Sequence, residues 1–160
     1  MRRMRGTVLV VAAVALSAGC GTVLISSDVE RHGDGWSLTL QRLSDGPNQV
    51  QPMGYTVYEA PSGSRLMHAY FKIKNDSAQP RVYGYDSCDM DLKGDKVLPN
   101  MVLRYNGVMS EMDRAETYAG FETNYRSLVF VYPDGPLPTR IQCGALTFEV
   151  PAGPAASAGR

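Results

Sequence analysis

The chain has 160 residues, 44% of them hydrophobic, with 16 basic and 16 acidic side chains and three cysteines. Its zero formal charge argues against a nucleic-acid-binding protein, which carries a basic excess, and its hydrophobic content argues against disorder. The length suits one domain and excludes a large multidomain enzyme.

The N-terminus has the three parts of an export signal. Three arginines stand within the first five residues, residues 8–16 are apolar, and small residues precede Cys20. The segment Leu-Ser-Ala-Gly-Cys at 16–20 resembles a bacterial lipobox, in which the cysteine is lipidated and becomes the mature N-terminus. We therefore predict a signal peptide over 1–19 and a lipid on Cys20 that anchors the chain to a membrane.

The alternative is that the uncharged stretch 6–27 stays as an uncleaved anchor, because its 22 residues would just span a bilayer. Serines and glycines make its second half a poor hydrocarbon segment. Residue 21 is glycine rather than aspartate, which resembles the pattern of outer-membrane lipoproteins facing the periplasm. Removal of the signal would leave 141 residues with 13 basic and 16 acidic groups, a net charge of −3.

Cys88 and Cys143 are the two remaining thiols, in a compartment that is oxidising. If residues 82–92 and 141–143 are strands, alternation places Cys88 on a face with Val82 and Met90, and Cys143 with Ile141. The pattern predicts a structural disulfide. A metal pair or reactive thiols would need CxxC-like spacing or a nearby basic group, and the sequence contains neither.

The body of the chain alternates short runs of aromatic and β-branched residues with turn clusters rich in Gly, Pro and Asp, which is typical of an antiparallel sandwich. We predict strands within 36–150, a polar tether over 20–35 and a disordered tail over 151–160. The clearest strand is 67–74. Its two faces consist of Met67, Ala69, Phe71 and Ile73 on one side and of His68, Tyr70, Lys72 and Lys74 on the other. A capping box at 110–113 predicts one or two helical turns through 116.

Three stretches together resemble a family of small bacterial lipoproteins and secreted proteins with an immunoglobulin-like sandwich and a domain of unassigned function. They are 69–77, where a strand ends in an Asn-x-Ser turn, 90–96, where a strand turns over a glycine, and 119–122 leading into 128–133. The resemblance implies an all-β, immunoglobulin-like antiparallel β-sandwich. The family offers no catalytic residues to transfer.

Candidate chemical sites are few. His68 and His32 have cationic or polar neighbours, so we expect surface histidines rather than metal ligands. Six methionines remain after removal of the signal peptide, and their thioethers could bind Cu(I). The sequence lacks a His-x-Met element, however, and several of these methionines are explained as core residues. Asp89 and Asp91 within an acidic hairpin suggest weak Ca²⁺ binding, yet they lack the EF-hand spacing. We predict no cofactor, no metal site and no enzyme, since no nucleophile or phosphate motif appears.

Tyrosines are the remaining signal. Tyr70, Tyr83 and Tyr85 are predicted to face away from the core, and tyrosine suits interfaces because it joins apolar area to a polar tip. Covering a sheet face is the alternative. We therefore expect a lipid-anchored cell-envelope protein that binds a partner protein through an exposed sheet face, without catalysis. The alternative function is a periplasmic carrier of a small ligand or of copper or calcium.

Overall fold

The computed structural model describes residues 22–53, 57–105 and 107–151, and nearly all of its regular structure is antiparallel strand. The predicted signal peptide 1–19, the lipidated Cys20 and residues 152–160 of the predicted tail lie outside these ranges. The strands are β1 (Thr22–Ile25), β2 (Val29–Gly33), β3 (Trp36–Asp45), β4 (Gln49–Val50), β5 (Tyr58–Glu59), β6 (Ser64–Asn75), β7 (Arg81–Gly84), β8 (Cys88–Leu92), β9 (Asp95–Val97), β10 (Met101–Tyr105), β11 (Met109–Met112), β12 (Ala115–Tyr118), β13 (Thr123–Pro133), β14 (Arg140–Cys143) and β15 (Leu146–Glu149).

Two layers of strands enclose one core, which makes the protein a β-sandwich. The large sheet has the order β1-β3-β6-β13-β10-β11, and β2 also pairs with β3. The second layer consists of the sheet β15-β14-β8-β9 and the two-stranded ribbon β12-β7. The all-β antiparallel prediction is confirmed. The strand β13, whose residues 128–132 are apolar on both faces, is a central strand that pairs with β6 and β10.

The core lies between the layers because the strands alternate in burial. Met67, Ala69, Phe71 and Ile73 of β6 all point inward and are buried, as their spacing predicted. Phe71 meets Phe148 of the opposite layer edge to face, with ring centroids 5.3 Å apart. Such contacts bury apolar area, at about 25 cal/mol per Å², and hold the two sheets together.

A second, smaller core lies on the other face of the large sheet. The hairpin of β4 and β5 covers Leu66, Met101, Leu103 and Val129 there, and Val50 of the hairpin completes the cluster. The hairpin covers only one end of this outer face. The rest of the outer face has no covering strand among the residues that the structure describes.

The Cys88–Cys143 disulfide is confirmed. The two cysteines lie directly opposite each other on β8 and β14, with Cα atoms 3.9 Å apart. Ile141 and Met90 form the next buried pair along the same two strands. The bridge therefore joins two strands of one layer at the edge of the main core.

The predicted tether over 20–35 is wrong for its described part. Residues 22–25 and 29–33 form β1 and β2, which pair with the two halves of β3. Glu30, Arg31 and His32 are exposed because β2 is an edge strand, so it lacks the apolar alternation that would reveal it. The folded domain therefore begins by residue 22 rather than at 36.

The predicted short helix at 110–116 is also wrong. Met109–Met112 is the edge strand β11 and Ala115–Tyr118 is β12, each with a sheet partner that overrides the local capping signal. The one helical element in the described ranges is a single 3₁₀ turn, Tyr85–Ser87. Within those ranges we find no helix with the length and apolar character needed to cross a bilayer.

Asn75 joins two turns that are far apart in sequence. Its buried amide Nδ2 donates to the carbonyl of Ala119 at 3.0 Å, and its Oδ1 accepts from the Ser77 backbone N–H at 3.0 Å. Gly120 packs against this corner so closely that a Cβ atom would lie less than 3.0 Å from the carbonyl oxygen of Ala78. The glycine is required here by close backbone approach.

We predict that replacing both bridge cysteines by alanine lowers the free energy of unfolding by about 4 kcal/mol, because the closed loop of about 56 residues no longer restricts the unfolded chain. Urea denaturation of chains carrying Cys20→Ser, so that the pair is isolated, measures the change. Dithiothreitol should have the same effect on the parent chain and none on the variant. An unchanged midpoint after reduction would contradict the assignment.

Gly120→Ala should destabilise the fold by about 2 kcal/mol, because the added methyl group displaces a backbone carbonyl rather than a flexible side chain. Gly84→Ala is the matched control, since an added Cβ there meets nothing within 4 Å. The two urea midpoints should differ clearly. Equal midpoints would show that the 75–80 turn moves to accommodate the methyl group without loss of stability, and would contradict the prediction.

Candidate functional site

Two of the three candidate interface tyrosines are buried, so the predicted face does not exist. Tyr83 and Tyr85 are enclosed in the core between the layers, whereas Tyr70 is half-buried on the outer face of the large sheet. Tyr83 packs edge to face on Trp36, with centroids 4.9 Å apart. The interpretation of Tyr83 and Tyr85 as cover for a sheet face is the one that fits.

Tyr83 and Tyr85 point inward because the alternation of inward and outward side chains shifts by one residue between β7 and β8. The 3₁₀ turn Tyr85–Ser87 separates β7 from β8, so alternation does not continue from one strand to the other. Cys88 and Met90 point inward as predicted, but Val82 is 65% exposed and Tyr83 takes the inward position instead. A single continuous strand over 82–92 was the wrong assumption.

The buried tyrosines surround an ion pair between the layers. Arg126 of β13 is 5% exposed, and its Nε donates to the Glu116 carboxylate of β12 at 2.9 Å. The Arg104 guanidinium lies 3.5 Å from the same carboxylate, and the Tyr85 hydroxyl donates to it. Tyr118 extends the network, with its hydroxyl oxygen 3.1 Å from that of Tyr85.

The network fixes the protonation states of its members. Burial opposes ionisation of Glu116, but hydrogen bonds from Arg126 and Tyr85 and the nearby guanidinium charges outweigh it and lower the pKa of Glu116. Burial and the adjacent carboxylate raise the pKa of Tyr85 above its ordinary value. Burial also raises the pKa of Tyr83 to about 12. The carboxylate is therefore charged and the phenols are neutral near pH 7, so the ion pair and its hydrogen bonds are intact at that pH.

The exposed aromatic residues lie instead on the outer face of the large sheet. Tyr105 of β10 is 73% exposed and Tyr125 of β13 is 54% exposed. Tyr125 pairs with Lys72 across β6, and Tyr105 pairs with Met109 across β11. On the same pair of strands, Tyr70 of β6 lies opposite Ser127 of β13.

These side chains line one groove of about 440 Å³, the outer-face groove. Tyr70, Tyr105, Tyr125, Leu103 and Met109 give it a mostly apolar lining, and Ser127 lies between Tyr70 and Leu103 in its floor. Leu103 also belongs to the small core under the β4–β5 hairpin, so the groove begins where that hairpin stops covering the sheet. The volume lies within the range of small-molecule and peptide sites.

A buried hydroxyl marks the floor of the groove. The Ser127 side-chain oxygen is shielded from solvent and has no hydrogen-bond partner within the described residues. Buried polar atoms nearly always have a partner. The Ser127 hydroxyl is therefore an unusual buried polar atom beneath the groove.

Basic side chains stand along the β3 and β6 side of the groove. Arg42 lies over the Tyr70 ring, 5.8 Å from its centroid, and Lys72 follows two residues after Tyr70 on the same face. In the ranges 22–53, 57–105 and 107–151 neither cation has a carboxylate within ion-pair distance. Lys74, the next cation along β6, pairs with Asp76 at 3.1 Å.

His68 is buried, contrary to the surface position expected from its neighbours. Its Nε2 lies 2.9 Å from the Pro47 carbonyl oxygen, and its ring stacks near Tyr70. Burial and the charge of Arg42 lower the pKa of His68, despite the opposing hydrogen bond to Pro47. The loop that leads into β4 covers this residue, which alternation alone did not reveal.

The acidic hairpin is held by structural contacts. Asp89 pairs with Lys96 at 3.0 Å, and the Asp91 carboxylate accepts from the backbone N–H groups of Thr139 and Arg140 at 2.7 and 2.9 Å. Met67 and Met90 fill the main core. Among the residues that the structure describes, no three His, Cys, Asp or Glu side chains come together as a metal site would require.

Comparisons with models of known families and with curated proteins gave no match. Among solved structures, the chain is similar to a protein of Clostridium difficile 630 described as an uncharacterized β-sandwich protein, at 17% identity and a TM-score of 0.48. The similarity covers 66% of this chain and 74% of that one.

We predict that Glu116→Gln lowers the free energy of unfolding at pH 7 by about 3 kcal/mol, because it leaves the buried Arg126 charge without its anion. The pKa of Glu116 is lower in the folded state, so its contribution is present above the unfolded pKa of about 4.3 and is lost as the pH falls through the folded value. Denaturation curves of parent and variant should therefore converge in acid. Glu111→Gln, at an exposed position on β11, is the control. Parallel curves down to acid pH would contradict the role of Glu116.

Proposed function

We propose that the protein is a lipid-anchored protein of the bacterial cell envelope that binds a partner protein through the outer-face groove and performs no catalysis. The anchor is the lipid expected on Cys20, and the expected location is the periplasmic side of the outer membrane. The proposal is carried by one observation: three tyrosines, Tyr70, Tyr105 and Tyr125, line an apolar groove on the outer face of the large sheet, and no strand within residues 22–53, 57–105 and 107–151 covers that groove.

The composition of the groove supports a protein partner. Tyrosine, methionine and arginine are enriched in the cores of protein interfaces, and tyrosine and arginine are the commonest hot-spot residues. Tyr105 and Tyr125 expose large ring surfaces while they lie on regular strands of the sheet. The strands fix the backbone at both positions and tyrosine has only two side-chain torsions to order, so little conformational entropy is lost when a partner binds.

We propose an immunoglobulin-like type for the sandwich in the broad sense of two packed antiparallel layers. The position of the disulfide differs from that of antibody domains, where the bridge crosses between the sheets. Here both cysteines belong to one layer. The likeness therefore rests on layer architecture and on the turns at 75–77 and 119–122.

A small apolar ligand is the second candidate, favoured by the volume of the groove. Native mass spectrometry of chain extracted from its own envelope distinguishes the two. A constant added mass below about 1 kDa, lost on Tyr125→Ala, would favour the carrier function. The metal-carrier alternative has no supporting cluster among the described residues.

The partner function predicts site-specific cross-links. With p-benzoylphenylalanine in place of Tyr105, irradiation of cells should give protein adducts, whereas the same group in place of Val82, exposed on the opposite layer, should not. Adding Tyr125→Ala should lower the adduct yield strongly, because loss of a hot-spot tyrosine costs about 2 kcal/mol of binding.

Phe121→Ala is the matched control, since Phe121 is also an exposed aromatic residue but does not line the groove. The yield from the Tyr105 position should be unchanged in that variant. Equal adducts from positions 105 and 82, or none from either, would refute the partner function. Adducts to lipid from position 105 would assign this face to the membrane surface.

A further inference from the structure

The charges around the outer-face groove are distributed unevenly. Arg42 and Lys72 stand on the β3 and β6 side, and the exposed Glu111 of β11 stands at the other side, opposite Leu103. The strands between them follow the order β3-β6-β13-β10-β11. Four strand spacings separate the two sides by about 19 Å. The surface that flanks the groove is thus basic on the β3 and β6 side and acidic at the β11 edge, with the aromatic lining of the groove between them.

Arg42 and Lys72 lie on adjacent strands, and neither has a carboxylate partner in the part of the chain that the structure describes. Arg42 is opposite Tyr70 in the pairing of β3 with β6, and Lys72 projects from the same face of β6 two residues later. The neighbouring Lys74 already has Asp76 as its partner, and Asp45 is engaged by Arg65 at 3.0 Å. Like charges on adjacent positions repel, so an arriving carboxylate would gain from both cations at once.

We infer that the outer-face groove takes an extended acidic peptide segment of a partner protein, with carboxylates at Arg42 and Lys72 and apolar side chains over Tyr125 and Tyr105. The inference rests on the proposed partner function and names the chemistry of the partner. About six extended residues cover the 19 Å of the groove, at about 3.3 Å per residue.

The shape of the face favours a peptide over a membrane surface. A flat lipid surface would contact only the protruding rings of Tyr105 and Tyr125, whereas these rings stand beside a recess whose floor is Leu103 and Ser127. Both residues are buried, at 2% and 9% exposure. A narrow chain reaches such a floor, and a headgroup layer does not.

The test uses the full lipidated chain in nanodiscs of neutral lipid and three pools of fluorescein-labelled octapeptides. Apolar positions are randomised in all pools, and the alternating polar positions are all Glu, all Gln or all Lys. Fluorescence anisotropy should give an affinity for the Glu pool about tenfold above that for the Gln pool, as two partly exposed ion pairs provide. The Lys pool should bind most weakly, and added salt should reduce the difference.

Charge variants identify the cations responsible. The double variant R42A/K72A should bind the Glu and Gln pools equally, and R42E/K72E should prefer the Lys pool. K93A/R140A, which removes two exposed cations from the second layer, should behave as the parent chain. A preference for Glu that survives R42A/K72A would overturn the inference.

The remaining outcomes separate this inference from the partner function. Equal binding of the Glu and Gln pools, lost in Y105A/Y125A, would overturn the acidic class while leaving groove binding intact. Absence of binding by every pool, together with protein adducts from position 105, would overturn the peptide class alone. An adduct of twice the mass of the chain would identify a second copy as the occupant. If no pool binds and no adducts form at position 105, both proposals are overturned.

Discussion

The buried ion pair of Arg126 with Glu116 is the constraint on which the arrangement of the two layers depends. Arg126 points from the central strand β13 into the core, where an unpaired guanidinium would cost several kcal/mol. Its anion comes from β12, in the other layer, so the ribbon of β12 and β7 has to lie across this part of the large sheet. Tyr85 and Tyr118 complete the shell and add the hydrogen bonds that a buried ion pair requires.

With the ribbon in this position, its aromatic side chains pack into the core between the layers. Tyr83 and Tyr118 pack edge to face against Trp36, and this aromatic wall closes the core beside the disulfide. Those tyrosines are buried in the core, so they are not part of the exposed surface. Exposed aromatic surface is left on the outer face of the large sheet, where the β4–β5 hairpin covers Leu66 and Val129, whereas Tyr105 and Tyr125 lie outside that cluster.

Sequence patterns predicted what depends on regular alternation and missed what interrupts it. Cys88 and Cys143 were paired correctly because each lies on an unbroken strand with a buried residue two positions away. Tyr83 and Tyr85 were misplaced because a 3₁₀ turn changes the phase between β7 and β8. The edge strand β2 carries too few apolar residues to show a period, and its pairing with β3 is a tertiary effect.

The sequence alone could predict only part of the outer-face groove. Alternation placed Tyr70 on the outward face of β6, but its partners Tyr105 and Tyr125 come from strands 35 and 55 residues further on, and only the sheet order brings them together. The same order puts Arg42 beside Tyr70 and Glu111 on the far edge. In the proposed complex the apolar rings of the groove would supply affinity without direction, whereas the opposite charges on its two sides would favour one orientation of a bound peptide over the reverse.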